Sequence, residues 1–280
     1  MKVYIHTDLE GVSGVVGRPA EGVGNAILNK EVANRLLTQE VNATADGLLE
    51  GGADEIVCWD GHGGSNSINI EELHPEVQLY QCGGEVWPLR LVDKSFAAVA
   101  QIGAHAMMGV SDGFLNHTYN SHAVVNMWLN DRLIGEIGMT AALAGAARVP
   151  TILVSGDRAA CREAAEFIEG VETVETKAAV SRYSVINRHP KKVRADLKAA
   201  AARALGRLTD FVPRVDPPPY RIKVQFMCPN MADRTEKAGA QRLDHVTVMY
   251  ESDDLLDAWA QRCFWARGAH QARFPDAHGS

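Results

Sequence analysis

Lys2-Val3-Tyr4-Ile5-His6-Thr7-Asp8-Leu9-Glu10-Gly11 opens the 280-residue chain as an apolar run closed by two carboxylates. Val3 to Ile5 has the β-branched and aromatic character of a strand, and Gly11 and Gly14 supply turn signals just beyond it. Residues i and i+2 of an extended chain point to the same side, so Asp8 and Glu10 aim into one small volume. Two like charges held that close repel and cost stability unless something positive lies between them. A divalent metal ion is the simplest such group, and it needs further ligands.

The pattern of an apolar run followed by a polar turn recurs along the chain. Glu55 to Trp59 reads as a buried strand ending in Asp60-Gly61-His62-Gly63-Gly64, and Phe96 to Ile102 as another ending in Gly103-Ala104-His105. Val77 to Tyr80 is a short strand, and Thr151 to Val154 a further one, followed by Ser155-Gly156-Asp157. Glu31 to Leu49 carries apolar residues at helical spacing and is closed by Gly51-Gly52; Glu136 to Ala147, Arg158 to Ile168 and Pro190 to Leu208 are also helical in pattern. Strands alternating with helices predict an α/β fold, a mostly parallel sheet flanked by helices. Ligands of such sheets bind at the carboxyl ends of the strands. Asp8 and Glu10, Asp60 and His62, and His105 all sit just past such ends.

Val124 to Gly135 resembles a hairpin turning at Asn130-Asp131. Asp210 to Pro219, with Pro213 and Pro217-Pro218-Pro219, reads as a stiff linker. The expected organisation is a metal-binding catalytic α/β domain over 1–209, a linker over 210–219, and a smaller α+β portion over 220–280 that packs on the first or mediates assembly. That portion has strands at Arg221 to Met227 and His245 to Tyr250, a helix at Asp254 to Trp265, and a frayed tail from Gly268.

Bulk properties exclude several function classes. A hydrophobic content of 46% is ample for a large core, while a net charge of -7 without a long basic cluster argues against a nucleic-acid partner. No apolar stretch approaches the roughly 20 residues of a membrane span. Met1-Lys2 leads straight into a strand rather than an apolar signal region. The five cysteines are odd in number, scattered and free of any CxxC pair, which suits a reducing cytoplasm and removes a thiolate metal site. Metal must then be held by histidine and carboxylate.

Each remaining candidate has a bland reading beside the chemical one. His62, in a loop of glycines, is either a ligand or a cap for backbone groups. Asp60 fits an imidazole-orienting or turn-forming role better than direct ligation. His105 is a ligand or a satisfied core residue, and its strand-end position favours the ligand. His117, in Asn116-His117-Thr118, is a ligand, a general acid/base or a packed loop residue, with His122 close by. Glu136, between Gly135 and Ile137-Gly138, needs a partner if buried; otherwise it is a helix-start acid favoured by the dipole. Asp157 fits a helix cap, and Trp59 and Trp87 fit packing. Three carboxylates with two histidines exceed one tetrahedral zinc and fit a two-metal hydrolytic site with a bridging carboxylate, for which Asp8 is best placed. No Walker loop, dinucleotide fingerprint or serine elbow is present.

Taken in order, Asp8-Leu9-Glu10-Gly11, Asp60-Gly61-His62, Gly103-Ala104-His105-Ala106, Asn116-His117-Thr118, and Asn130-Asp131-Arg132 running into Gly135-Glu136-Ile137-Gly138 resemble the bacterial D-aminopeptidase family of zinc metallopeptidases. The match continues through Ser155-Gly156-Asp157-Arg158 into Val180-Ser181-Arg182. The resemblance implies a dinuclear zinc centre with ligands Asp8, Glu10, His62, His105 and Glu136, and a catalytic His117. It also implies release of D-amino acids such as D-Ala from the free amino terminus of short peptides. A homo-oligomer is implied too, a decamer of stacked pentameric rings enclosing a chamber. Two stretches depart from the family pattern: the loop between His105 and His117, and Gln81 to Trp87. Both are expected near the substrate. The alternative hydrolase is a dinuclear-metal amidase or phosphoesterase of other specificity, since two-metal sites serve both chemistries.

Overall fold

A computed structural model describes residues 1–21, 24–81 and 89–263. Most of the Gln81–Trp87 stretch, with Trp87 itself, and the expected tail from Gly268 lie outside the described residues. From the amino end, β1 (Lys2–Thr7) leads through a short hairpin, β2 (Gly17–Pro19) and β3 (Asn25–Ile27), into helix α1 (Lys30–Glu50). Then come β4 (Glu55–Trp59), β5 (Val77–Tyr80), β6 (Phe96–Ala104), β7 (Val124–Leu129), β8 (Arg132–Leu133) and α2 (Glu136–Ala146). They are followed by β9 (Thr151–Asp157), α3 (Arg158–Phe167), β10 (Glu172–Ser181), β11 (Ser184–Asn187) and α4 (Pro190–Gly206). The chain closes with β12 (Tyr220–Phe226), α5 (Pro229–Lys237), β13 (Gln241–Arg242), β14 (Thr247–Ser252) and α6 (Leu255–Arg262).

Seven strands form the main sheet in the order β11-β10-β9-β6-β1-β4-β5. All its pairings are parallel except β10 with β11, so the expected α/β fold with a mostly parallel sheet is the observed one. From β1 the chain moves outward through β4 to β5, then returns to place β6 on the other side of β1. This reversal puts a ligand-binding crevice at the carboxyl ends of β1 and β6. The buried faces of these strands are nearly continuous Val, Ile and Ala, with Val3, Ile5, Ile56, Ala98, Ala100 and Ile102 in one core with Leu37, Val41 and Leu48 of α1. The last two strands of this sheet, β10 and β11, have mixed polar and small residues, and their sequence gave no strand expectation.

Two glycines let the central strand ends come together. A Cβ at Gly11 would lie 1.9 Å from the Ala104 carbonyl oxygen. Gly103 has φ +77°, and a Cβ there would lie 2.1 Å from the Asp8 carbonyl oxygen. In their absence the turn after β1 packs directly on β6, with Asp8 N–H donating to Ile102 and Gly11 N–H to Gly103, 2.8 Å each. The turn that carries Asp8 and Glu10 is thereby seated beside His105.

The chain divides into two units: 1–122 with 134–215, and 123–133 with 216–280. The second is thus discontinuous, where the sequence suggested a contiguous portion from 220. Its sheet has the order β13-β14-β12-β7-β8. The hairpin β7–β8, turning at Asn130 and Asp131 with φ 49° and 69°, supplies two of those strands. The cause is strand pairing: β7 runs antiparallel to β12, with Leu129 opposite Ile222 and Met127 opposite Val224, all four buried. Helix α6 packs on β12 and β14, and its first turn is capped by Asp254, which accepts from Leu256 and Asp257 N–H.

Candidate metal centre

Asp8 and Glu10 follow β1, His62 follows β4, His105 follows β6, and Glu136 is the first residue of α2. The main unit brings all five together, and His117 joins them. His62 Nδ1 lies 3.0 Å from Asp8 Oδ1 and 3.1 Å from Glu10 Oε2. His105 Nε2 lies 3.1 Å from Asp8 Oδ2 and 3.3 Å from Glu136 Oε1. Asp8 is therefore shared, one oxygen toward each histidine. The His117 ring stacks on His105 with centroids 4.0 Å apart, and its Nε2 is 3.9 Å from Glu136 Oε1. Two sets, Asp8 with Glu10 and His105, and His105 with His117 and Glu136, each offer ligand atoms within 4.8 Å of one another.

Local backbone fixes these side chains. His105 Nδ1 donates to Ala106 O at 3.0 Å, and His117 Nδ1 to Leu115 O at 2.9 Å. A carbonyl can only accept, so both rings carry hydrogen on Nδ1 and turn Nε2 toward the carboxylates. Glu136 is held by Tyr119 N–H at 2.6 Å, and the segment around His117 has positive φ at Leu115 and Tyr119, 47° and 59°. Such non-glycine conformations persist where the surroundings demand them, and they cluster at functional sites.

The electrostatics follow from this facing of nitrogens and oxygens. Burial pushes His105 and His62 down, but Glu136 with Asp8, and Glu10 with Asp8, outweigh it and hold both well above the usual histidine value. Burial raises Glu136, yet His105 and His117 bring it down to about 2. Glu10 is held well below its usual value against burial by His62 and the other histidines. Burial and the neighbouring His105 lower His117, which favours its neutral form. Glu10 Oε2 and His105 Nε2 are fully buried, and their 3.1 Å contacts with His62 and Asp8 lack the alignment of a full hydrogen bond. A cation between them satisfies both, and hard carboxylate with borderline imidazole is a donor set that zinc accepts.

Other residues sort clearly. Asp60 is fully buried and accepts from Ser67 and Ile68 N–H at 2.7 and 3.0 Å, so it shapes the His62 loop. Asp157 caps α3, accepting from Ala160 N–H at 2.8 Å. A cavity of about 290 Å³ opens beside the cluster, bordered by Asp8, His62, His117, Tyr119 and His122. His6 borders it too, a residue sequence reasoning passed over. Its ring stacks on Trp59 at 5.0 Å, and burial lowers its pKa to about 4, leaving it neutral. The signal was available: His6, Asp8 and Glu10 continue one i, i+2 alternation.

The family model for D-aminopeptidases, peptidase family M55, matches residues 1–263. The chain belongs to the D-aminopeptidase family. It is a metal-dependent aminopeptidase. It is 30% identical over 269 residues to a D-aminopeptidase of Bacillus subtilis (strain 168), spanning 92% of this chain and 94% of that one. A solved structure, the Zn-dependent D-aminopeptidase DppA from Bacillus subtilis, described as a self-compartmentalizing protease, superposes with a TM-score of 0.86 at 28% identity, covering 94% of this chain and 95% of that one. Similarity to these D-aminopeptidases thus runs through both units.

Proposed function

We propose that this aminopeptidase hydrolyses short peptides next to a free amino terminus and releases D-amino acids such as D-Ala, with two zinc ions held by Asp8, Glu10, His62, His105 and Glu136. The observation that carries this reading is the convergence of three carboxylates on two histidines at 3.0 to 3.3 Å, with buried Glu10 Oε2 and His105 Nε2 facing into the cluster. Asp8 turns one oxygen toward each histidine, so it would help to hold both ions. Zinc bound there would polarise the scissile carbonyl and bring the pKa of a water toward neutrality.

The chain's own residues do the rest. His117, anchored through Nδ1, presents Nε2 at the cavity, where it takes a proton from the attacking water and returns it to the leaving amine. Stacking on His105 fixes the tilt of its ring. The cavity, about 290 Å³, is at the small end of ligand sites and suits one or two residues of a peptide. Self-compartmentalization of the Bacillus relative supports assembly of this chain into a chambered homo-oligomer; the decamer of stacked pentameric rings is what the family resemblance implies. Free cysteines at Cys58, Cys161, Cys228 and Cys263 support a reducing cytoplasm as its location.

Metal analysis of the purified protein, combined with hydrolysis of D-Ala and L-Ala p-nitroanilides, tests the reading. Two zinc ions per chain and a strong preference for the D-anilide are expected. Equal rates on the two enantiomers would remove the D-specific assignment, and hydrolysis of phosphate esters instead would transfer the site to another reaction class.

A further inference from the structure

Beside the candidate metal centre lies a buried lysine that the mechanism above does not use. Lys177 of β10 is fully buried. Its ammonium donates to the carbonyl oxygens of Glu10 and Val15, 2.8 Å each, and sits 4.6 Å from the centre of the Phe114 ring. Thr176, the residue before it, donates to the Gly11 carbonyl and, at 3.0 Å, to that of Gly156. From α1, buried Glu40 accepts from Ser13 N–H at 2.9 Å, and against the lowering by burial it exerts the leading pull that keeps the lysine charged. The turn from Glu10 to Val15 is therefore fastened from below by β10 and α1.

Phe114 belongs to the other half of the site. Its N–H donates to Asp157 at 2.6 Å, and it stands three residues before His117. One ammonium thus touches both the turn that bears Glu10 and the segment that bears His117. An isolated buried ammonium is expensive; two carbonyls, an aromatic face and a nearby carboxylate offset only part of that cost, and burial pushes the Lys177 pKa down to about 7. A methionine would fill the same space without needing any of them, so packing alone does not call for a lysine here.

We propose that Lys177 is a positioning residue for the metal centre: it fixes the Glu10–Val15 turn against the Phe114–His117 segment and so sets where the Glu10 carboxylate meets the His117 ring. The proposal rests on the ligand set proposed above. Wild-type zinc affinity, by chelator competition, and kinetics on D-Ala p-nitroanilide are measured first. If wild type binds no zinc, the ligand set itself fails, and this proposal with it.

Lys177→Met is expected to weaken zinc binding about 10- to 100-fold, the range found when groups that orient ligands are removed. It is also expected to lower kcat with KM little changed. A purely structural lysine would move the urea midpoint but leave the folded protein's zinc affinity and kcat at wild-type values, and that result overturns the proposal. Phe114→Leu is the second variant, keeping the core apolar and the lysine's two carbonyl bonds intact. It should lower kcat severalfold while zinc affinity stays at wild type. Unchanged kcat in Phe114→Leu overturns the link to His117 even where Lys177→Met does not fold.

Discussion

Three strand ends of the parallel sheet carry buried carboxylates, those of β9, β4 and β1, and the β9 and β1 ends are satisfied in opposite ways. At the end of β9, Asp157 divides its oxygens between Ala160 N–H at 2.8 Å and Phe114 N–H at 2.6 Å. At the end of β1, Asp8 and Glu10 instead face imidazole nitrogens of His62 and His105 at 3.0 to 3.1 Å. Backbone donors close the first site and tie α3 to the His117 segment. Side-chain donors leave the second open, with an oxygen of Glu10 and a nitrogen of His105 buried in contacts that lack full hydrogen-bond alignment. On the proposed ligand set, a strand-end acid is a cap when backbone N–H groups reach it, and a ligand when histidines do. Position in the fold is the same in both cases; the identity of the donors decides.

Asp8→Asn against Asp157→Ala breaks the comparison most directly. Asp8→Asn removes the charge shared by both histidines, so zinc content and hydrolysis should fall to background while the urea midpoint holds or rises. Asp157→Ala strands two buried N–H groups and removes a helix cap, which costs about 2–4 kcal/mol of stability. Its folded fraction should still bind zinc. If Asp157→Ala loses zinc as completely as Asp8→Asn, the division into cap and ligand is wrong.

His117→Ala probes the open site from its rim. His117 has its Nδ1 on a backbone carbonyl, as a capped residue does, and its Nε2 toward Glu136, as a ligand does. The proposed proton-transfer role predicts turnover lower by about 10²- to 10⁴-fold with zinc content unchanged. Loss of zinc in this variant would instead make His117 a ligand, a role that its spacing to His105 and Glu136 permits.

Most of the fold was legible because strand ends announce themselves: an apolar run, then glycine beside a polar residue. Asp8, Glu10, His62 and His105 were read from those ends, and the structure brings them together with Glu136. What stayed hidden depended on partners distant in sequence. The hairpin at Val124–Leu133 was visible as a hairpin, but its pairing with β12, nearly a hundred residues on, leaves no mark in its own sequence. Strand β10 was missed because Lys177 breaks its apolar pattern, although that lysine is buried against the Glu10 turn. His6 was overlooked because a histidine inside a strand reads as filler until Trp59 and Asp8 are seen beside it.

Glu163 of α3 stands between the two kinds of carboxylate and gives the smallest test. One oxygen accepts from Met107 N–H at 2.8 Å; the other is buried without a hydrogen-bond partner, against Gly135, where a Cβ would lie 2.4 Å away. Burial pushes its pKa up to about 7. The folded chain therefore holds a proton on Glu163 that the unfolded chain releases near its ordinary value, so stability declines as pH rises through that interval. With zinc removed by a chelator, the Glu163 share of that loss, accrued by the time pH passes about 7, should be on the order of 3 kcal/mol. Glu163→Gln keeps the acceptor for Met107 and has no charge to bury. Urea unfolding should show the variant and wild type alike at pH 5, with the variant more stable at pH 8. A difference that does not change between those two pH values would mean that Glu163 is satisfied as fully as Asp157.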